Sequence, residues 1–271
     1  MATVNNTLPA NFDSTPMPAD HINYHEPFST LNGKIVFIGQ WRPDISAART
    51  KLAPFMHKFG KYHWECLLHL AKYLHQTKKE GMFLKRSPTW DIHNTKCEII
   101  SDAGDLANPN TGCRATFGHV LIVENNIISF KGKVAKEVTT ESSNTELLGY
   151  YAATKNVKGF LNFVSSLHPI RISTPVTLYG DNLAALWIAR NNTNSTRTKH
   201  YHLKLHYIFE QIQENNIITK HIPGVLCIAD ILTKIQTNVL FAEQRVYYVA
   251  ECVDDLHIFV APLTDKSDIS K

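Results

Sequence analysis

The sequence predicts an α/β fold: a mixed five-stranded sheet flanked by helices and preceded by a small helical segment. Between positions 98 and 133, three β-rich runs are separated by turn residues, which indicates an antiparallel meander. After position 142, helical periodicity alternates with two further β-rich runs, and helices between strands imply parallel crossovers. The 271 residues, 44% of them apolar, suffice for one substantial core, or for one domain plus a smaller helical one.

The chain before the predicted sheet divides into two parts. Residues 1–27 are polar and proline-containing with no period, so we expect a disordered lead-in. Residues 28–92 are predicted to form a helical segment, in which a first helix begins near Pro43. A second helix is indicated by an apolar stripe at helical spacing, which we expect to pack on a small helical module or on the sheet. The stripe comprises Trp64, Leu67, Leu68, Ala71 and Leu74.

The predicted sheet domain spans residues 97–235, and its elements follow the order βββ-α-β-α-α-β-α. Its strands are predicted at 98–102, 116–123, 127–133, 176–179 and 217–222. Its helices are predicted at 142–165, 182–190, 198–214 and 229–232. Residues 236–271 are a divergent tail in which we predict no element.

Charge, cysteines and hydropathy limit the kind of protein. A net charge of +4 and a pI near 8.7 are compatible with a nucleic-acid partner without requiring one. The five cysteines include no Cys-x-x-Cys pair, so we read them as reduced thiols of an intracellular protein and not as disulfides or a zinc site. No signal peptide is visible, and no apolar run approaches the ~20 residues that a membrane span needs, so we expect no membrane partner.

Four carboxylates are predicted at the ends of elements of this domain. They are Asp102 after the first strand, Glu146 in the first turn of the first helix, Asp181 after the fourth strand and Asp230 in the last helix. If the first and fourth strands are neighbours, these side chains meet at one edge of the sheet. Carboxylates this close raise each other's pKa, and divalent cations relieve the repulsion. Two Mg²⁺ ions about 4 Å apart would activate a water and stabilise the leaving oxygen of a phosphodiester.

Each carboxylate also has a plain structural explanation. Glu146 completes Ser143-x-x-Glu146, which has the spacing of a capping box. Asp102 ends a predicted strand, as Asp ordinarily does. Asp181 is able to cap the helix that follows it, and Asp230 to begin the last helix. Taken singly, these explanations are at least as good as catalysis. Taken together, four of them at corresponding ends of one sheet are less expected than a metal site.

An ordered run of motifs accompanies the four carboxylates. It consists of Ser101-Asp102-Ala103, Gly118-His119-Val120, Ile128-Ser129-Phe130-Lys131, positions 142–147, positions 178–182, Arg197-Thr198-Lys199-His200 with His206, and positions 228–234. In this order they resemble the ribonuclease H domain of copia-type long-terminal-repeat retrotransposon polyproteins, over residues 97–234. Upstream, Arg42-Pro43-Asp44-Ile45, His63-Trp64 and Tyr73-Leu74 resemble the segment that joins the reverse transcriptase of that family to its ribonuclease H.

The resemblance implies a ribonuclease H-like fold and a magnesium-dependent endonuclease that cleaves the RNA strand of RNA–DNA hybrids. The catalytic and metal-binding residues that it implies are Asp102, Glu146, Asp181 and Asp230, with two Mg²⁺ ions, for which Mn²⁺ substitutes. It also implies contacts to the hybrid, although a solvated basic face explains the basic residues equally well. The implied contact residues are Asn182, Arg190, Arg197, Lys199, His200 and Lys204.

The resemblance leaves two functions open. The chain contains no Tyr-x-Asp-Asp motif, so we expect a nuclease without polymerase activity of its own. A separate reverse transcriptase or another polyprotein-derived subunit is an expected partner, in the cytoplasm, a virus-like particle or the nucleus. The alternative is an inactive or host-retained remnant that binds nucleic acid or protein without turnover. A zinc site at His200, His202 and His206 is less expected, because no fourth ligand is evident nearby.

Overall fold

One mixed sheet organises the protein. The computed structural model describes residues 6–9, 12, 25–56, 58–104, 114–136, 138, 141–192 and 201–257. The strands of the sheet are β1 (Cys97–Gly104), β2 (Thr116–Val123), β3 (Asn126–Val134), β4 (Val176–Gly180) and β5 (Ile217–His221). Their order is β3-β2-β1-β4-β5, with antiparallel pairing from β1 to β3 and parallel pairing from β1 through β4 to β5. The predicted mixed five-stranded sheet flanked by helices is confirmed.

Helices precede, connect and follow these strands. In the described residues they are α1 (Phe28–Ile38), α2 (Ser46–Leu52), α3 (Lys61–Gln76), α4 (Ser142–Ser165), α5 (Leu183–Asn191), α6 (His202–Gln213), α7 (Asp230–Thr233) and α8 (Asn238–Arg245). The sequence predicted α4 with these bounds but predicted no helix at α1 or α8, and the helix that it predicted first, near Pro43, is α2. It also ended the first strand too early, since β1 continues for two residues beyond Asp102. The predicted start of the helix at 198 lies outside the described residues.

The two faces of the sheet carry two separate cores, because successive side chains of a strand point to opposite faces. Helices α4, α5 and α6 cover one face, where Ile99 and Leu178 are fully buried with Tyr150 of α4. On the other face, Ile100 and Val120 belong to the apolar cluster that also holds most of the α3 stripe and residues of α7 and α8. The helical segment and the end of the chain therefore share one core with the sheet. The predicted domain boundaries stay predictions.

Helix α7 packs directly on the sheet because two glycines leave room for it. A Cβ at Gly118 of β2 would lie 2.9 Å from the Cβ of Leu232, and a Cβ at Gly132 of β3 would lie 2.7 Å from the carbonyl oxygen of Leu232. The Cβ at Gly132 would also collide with the hydroxyl of Ser46, the first residue of α2. Any larger residue at these positions would push α7 away from the strands.

A buried polar network joins the first helices to the last one. Asp44 is 1% exposed and accepts hydrogen bonds from Arg42 at 2.9 and 2.7 Å and from the hydroxyl of Tyr73 at 2.6 Å. Arg245 of α8 donates to the same Tyr73 hydroxyl at 3.1 Å and forms an ion pair with Glu80. Charged groups of distant segments are therefore paired away from water, and pairing of this kind is required when charges are buried.

No helix in the described part of the chain is both long and apolar enough to cross a bilayer. Of the cysteines, Cys66, Cys97 and Cys227 are buried free thiols and Cys252 is an exposed one. Cys113 lies outside the described residues.

The substitution Asp44→Ala tests the weight of the buried network. It leaves the Arg42 guanidinium buried without its partner, and such a loss costs about 3–5 kcal/mol. For a chain of this size we expect the melting temperature to fall by the order of 10 °C. The matched control is Glu65→Ala, which breaks an exposed pair with Lys61 at 3.9 Å and should change stability by less than about 0.5 kcal/mol. Equal melting temperatures for the two variants would contradict the assignment.

Candidate active site

Three of the predicted carboxylates converge at the edge of the sheet where β1 and β4 end. Asp102 lies on β1, Asp181 directly follows β4, and the parallel pairing of these strands brings both to the same edge. Glu146 reaches them from the second turn of α4. One carboxylate oxygen from each residue lies within 4.8 Å of the other two. Asp102 and Glu146 are 0% and 4% exposed, and Asp181 is half-buried at the rim.

The structure excludes two of the alternative explanations for these residues. Helix α4 begins at Ser142, so Glu146 is its fifth residue and is too far into the helix for a capping box with Ser143. The cap of α5 is Asn182, whose side-chain oxygen accepts a hydrogen bond from the backbone N–H of Ala185 at 3.0 Å. Asp181 is therefore not the cap. Neither Glu146 nor Asp181 is needed to start its helix.

Asp230 joins the site through Asp102, by way of a lysine that the sequence analysis did not single out. It is the first residue of α7, as its alternative explanation expected. Its carboxylate lies 3.0 Å from the ammonium of Lys234, and the same ammonium lies 2.9 Å from the carboxylate of Asp102. The hydroxyl of Thr233 donates a hydrogen bond to the second oxygen of Asp102. The signal was present in the sequence, since Lys234 follows Asp230 by four residues, which is one helical turn.

Burial and mutual repulsion alter the protonation of this cluster. Burial, with the charges of Asp102 and Asp181, raises the pKa of Glu146 to about 9. Burial and Asp102 also raise the pKa of Asp230 to about 7, against the opposing effect of Lys234. The pKa of Asp181 is raised by the same two causes. These directions mean that full ionisation of the cluster is unfavourable in the metal-free protein, because burial disfavours the charged forms and neighbouring carboxylates repel one another.

The residues present fit a hard divalent cation. Oδ1 of Asp181 and Oε2 of Glu146 are buried and have no hydrogen-bond partner in the described part of the chain. Carboxylate oxygens are the ligands that Mg²⁺ prefers. A second group that meets the same distance limit contains Asp102, Asp230 and Cys227, but burial raises the pKa of the Cys227 thiol well above its usual value. A protonated thiol is a poor metal ligand, so the oxygen donors define the site.

The predicted nucleic-acid contacts are distributed differently. Asn182 lies beside Asp181, and its amide donates to the hydroxyl of Ser142 at 3.5 Å. The guanidinium of Arg190 is held on β5, where it donates to the hydroxyl and carbonyl oxygens of Thr219 at 2.7 and 2.6 Å. The ammonium of Lys204 on α6 lies 5.3 Å from the ring of Tyr201, the residue that precedes this helix. The other three, Arg197, Lys199 and His200, lie outside the described residues.

The predicted zinc alternative gains no support. The rings of His202 and His206 are parallel, with their centroids 6.3 Å apart. Within the ranges that the structure covers, neither belongs to a group of three metal-ligating side chains. His200, the third residue of that alternative, lies outside those ranges.

Comparison with known proteins finds similarity to transposon polyproteins. No family model matches it. It is 30% identical over 212 residues to the retrovirus-related Pol polyprotein from transposon RE2 of Arabidopsis thaliana, which is 77% of this chain and 14% of that protein. To the polyprotein from transposon TNT 1-94 of Nicotiana tabacum it is 25% identical over 211 residues, 77% of this chain and 15% of that protein. The chain is homologous to retrovirus-related Pol polyproteins of copia-type transposons, and it spans about 14–15% of the length of these two relatives.

Solved structures give a weaker likeness. LC11-RNase H1, isolated from compost by a metagenomic approach, is 20% identical with a TM-score of 0.39, covering 55% of this chain and 96% of that chain. The foamy viral protease-reverse transcriptase, solved in complex with an RNA/DNA hybrid, is 15% identical with a TM-score of 0.39, covering 59% of this chain and 22% of that chain.

The substitution Glu146→Gln tests the electrostatics of the cluster. A carboxyl whose pKa rises from 4.5 to about 9 on folding destabilises the metal-free protein increasingly as the pH rises between those values. In EDTA we therefore expect the variant to melt above the wild type at pH 8, by about 2–4 °C for each kcal/mol relieved, and to differ little at pH 5. Melting curves of both proteins at the two pH values measure this. A difference that shrinks from pH 5 to pH 8 would contradict the raised pKa.

The substitution Lys234→Met tests the internal cation. Asp102 is fully buried, so without the ammonium its charge keeps only the hydroxyl of Thr233. In EDTA we expect a loss of about 1–3 kcal/mol, because hydrogen bonds to a buried charge are costly to remove. Added Mg²⁺ should raise the melting temperature of the variant more than that of the wild type. Lys61→Met, which removes one exposed lysine of a surface pair, is the control. The assignment fails if Lys234→Met and the control melt alike in EDTA.

Proposed function

We propose that this chain is a ribonuclease H-type endonuclease that cleaves the RNA strand of RNA–DNA hybrids. One observation carries the proposal: carboxylate oxygens of Asp102, Glu146 and Asp181 lie within 4.8 Å of one another at an open edge of the sheet. Homology to retrovirus-related Pol polyproteins supports it. The motif order that predicted these residues supports it as well.

The cofactor in this proposal is Mg²⁺, as two ions, with Mn²⁺ as a substitute. The ligands are the carboxylates of Asp102, Glu146, Asp181 and Asp230, and the orphaned oxygens of Glu146 and Asp181 support this choice. When bound, Mg²⁺ supplies an activated water and stabilises charge on the leaving oxygen of the phosphodiester.

The protein's own groups hold this constellation in place. Thr233 and Lys234 fix both oxygens of Asp102, so this carboxylate does not rotate away from its neighbours. Glu146 projects from a 24-residue helix, which is a rigid support. Asn182 caps α5 beside Asp181 and thereby keeps the rim of the site in one conformation. Such preorganisation places the donors before a substrate arrives.

In this proposal the substrate is an RNA–DNA hybrid, read through its 2′-hydroxyl groups and helix shape and not through its base sequence. Asn182 and Lys204 are proposed contacts, and the chemistry of Arg197, Lys199 and His200 suits phosphate groups. Arg190 is a weaker candidate, because its guanidinium already donates to Thr219. We also propose a separate reverse transcriptase or polyprotein-derived subunit as a partner.

The second candidate is a module that binds nucleic acid or protein without turnover. The observation that favours it is the ammonium of Lys234, which lies within 3.0 Å of both Asp102 and Asp230. A lysine in this position partly neutralises the cluster in the absence of any cation. The two candidates differ in one measurable property, cleavage of a hybrid that depends on a divalent metal.

The deciding experiment follows cleavage of a labelled RNA–DNA hybrid by the full chain against Mg²⁺ and Mn²⁺ concentration, with EDTA as the blank. Hybrid affinity is measured on the same samples. We expect cleavage of the RNA strand in the presence of metal only. Tight hybrid binding without cleavage at any metal concentration would overturn the nuclease and leave the binding module.

Two carboxylate substitutions test the roles within the site. Asp181→Asn removes a central ligand and several kcal/mol of transition-state stabilisation, so we expect cleavage to fall by about 1,000-fold or more while the fold is retained. Asp230→Asn alters the peripheral ligand, so we expect a smaller loss that higher Mg²⁺ partly restores. Cleavage rates against Mg²⁺ for both variants measure this. Wild-type turnover by Asp181→Asn would refute the assignment.

A further inference from the structure

A basic pocket lies on the α4 side of the sheet, between that helix and β3. Its volume is about 470 Å³, and residues of β2, β3, α4 and α6 line it. Its lining contains no carboxylate among the residues that the structure describes. The lysines that line it are Lys131, Lys133, Lys136, Lys155 and Lys204. Such a cluster of one sign in a concave surface concentrates anions.

The spacing of these lysines suits a chain of phosphates. Lys131 and Lys133 are two residues apart on β3, so they share one face of the sheet and lie about 7 Å apart. Lys155 faces them from α4. None of these three ammonium groups forms an ion pair with a described carboxylate. Two successive phosphates of an extended strand are able to bridge positions arranged in this way.

The floor of the pocket holds a buried histidine without a partner. His119 is 1% exposed, and neither ring nitrogen has a hydrogen-bond partner in the described structure. Burial and the charge of Lys131, its neighbour across the β2–β3 pair, lower the pKa of His119 to about 4. The neutral ring offers one donor and one acceptor. A buried polar group without a partner is costly, so a small shift of this ring towards the pocket that brought it into a hydrogen bond with a ligand would be favourable.

Aromatic rings complete the lining. Phe117 on β2 and Tyr151 on α4 are both half-buried and border the pocket. The Tyr151 ring is 5.6 Å from the ammonium of Lys155. Aromatic faces beside a positively charged groove are the elements with which proteins bind single-stranded nucleic acid without sequence preference.

The pocket is separate from the carboxylate cluster. Lys155 follows Glu146 by nine residues on α4, which is about 14 Å along the axis and half a turn around it. The two side chains therefore leave opposite sides of the same helix. Lys136 of the pocket is on the segment that joins β3 to α4, the helix that carries Glu146.

We propose that this pocket binds a single-stranded extension of the nucleic acid whose double-stranded part lies at the carboxylate cluster. The inference rests on the proposed function for the location of the duplex. The pocket has room for a base and its phosphates but not for a double helix, so the occupant is one strand. The lysines bind phosphates, the aromatic rings contact bases, and His119 hydrogen-bonds with the strand at the floor.

The test compares two substrates on the full chain carrying Asp181→Asn, which prevents cleavage. One is a blunt RNA–DNA hybrid, and the other is the same hybrid with a single-stranded tail of about eight nucleotides. Fluorescence anisotropy gives the affinity for each. We expect the tail to increase affinity about tenfold. A tail that adds no affinity overturns the inference.

Lysine substitutions locate the effect. The triple variant Lys131→Gln, Lys133→Gln, Lys155→Gln should lose the gain from the tail and reduce the salt slope for the tailed hybrid by about 2, at ~0.7 for each single-strand phosphate contact. The control removes the same charge from exposed positions on and after α3, by Lys72→Gln, Lys78→Gln and Lys79→Gln. The control should keep the gain. Equal losses in the two variants overturn the inference in favour of bulk charge.

His119→Phe is expected to change stability and affinity for the tail in opposite directions. It keeps an aromatic ring but removes two unpaired buried nitrogens, so we expect a melting temperature equal to or above that of the parent together with a smaller gain from the tail. If this variant keeps the full gain in affinity from the tail, the proposed contact between the strand and His119 is wrong. The NMR signals of His119 identify the occupant of the pocket. If a mononucleotide perturbs these signals and the tailed hybrid does not, the occupant is a small anion and the proposed single strand is wrong. Failure of the proposed function is measured separately, because the wild type would then show no metal-dependent cleavage of the hybrid.

Discussion

The burial of the Asp102 carboxylate is the constraint on which the rest of the structure depends. This side chain is 0% exposed in the middle strand of the sheet, where an unpaired charge would be very costly. Its two oxygens are occupied by the hydroxyl of Thr233 and the ammonium of Lys234. The end of α7 must therefore meet the end of β1, although 131 residues separate Asp102 from Thr233. The position of α7 is thus set by electrostatics as well as by apolar packing.

Helix α7 has only four residues, so its own hydrogen bonds do not fix it there. The glycines of β2 and β3 let its backbone approach the sheet, and α2 closes over β3 through Ser46. Helix α2 in turn follows the Arg42–Asp44 pair, which binds Tyr73 of α3 and, through it, Arg245 of α8. Helices α2, α3 and α8 therefore support α7 in its position beside the carboxylates.

Much of this was readable from the sequence, and the rest depends on contacts that sequence patterns do not encode. Alternation and turn residues gave the strands, and helical periodicity gave α4 to within its observed bounds. The sequence left the adjacency of β1 and β4 as a condition, and the parallel pairing of these two strands meets it. Helix α8 was missed because its burial depends on Phe241 meeting Tyr73, a contact between distant segments. The role of Lys234 and the unpaired ring of His119 were missed for the same reason. Sequence patterns do not show which charges pair in the fold or which buried polar atoms lack a hydrogen-bond partner.

The internal lysine compensates only part of the charge of the carboxylate cluster. One ammonium compensates Asp102 and Asp230, but Glu146 and Asp181 remain without a hydrogen-bond partner for one oxygen each, and the pKa of both is raised. The metal-free protein therefore keeps unfavourable energy at the very groups that suit a cation. Any ion that binds the folded chain and not the unfolded one releases this energy as stability. On the proposed function, metal binding would therefore raise folding stability chiefly through Glu146 and Asp181, because Lys234 already pairs with Asp102 and Asp230.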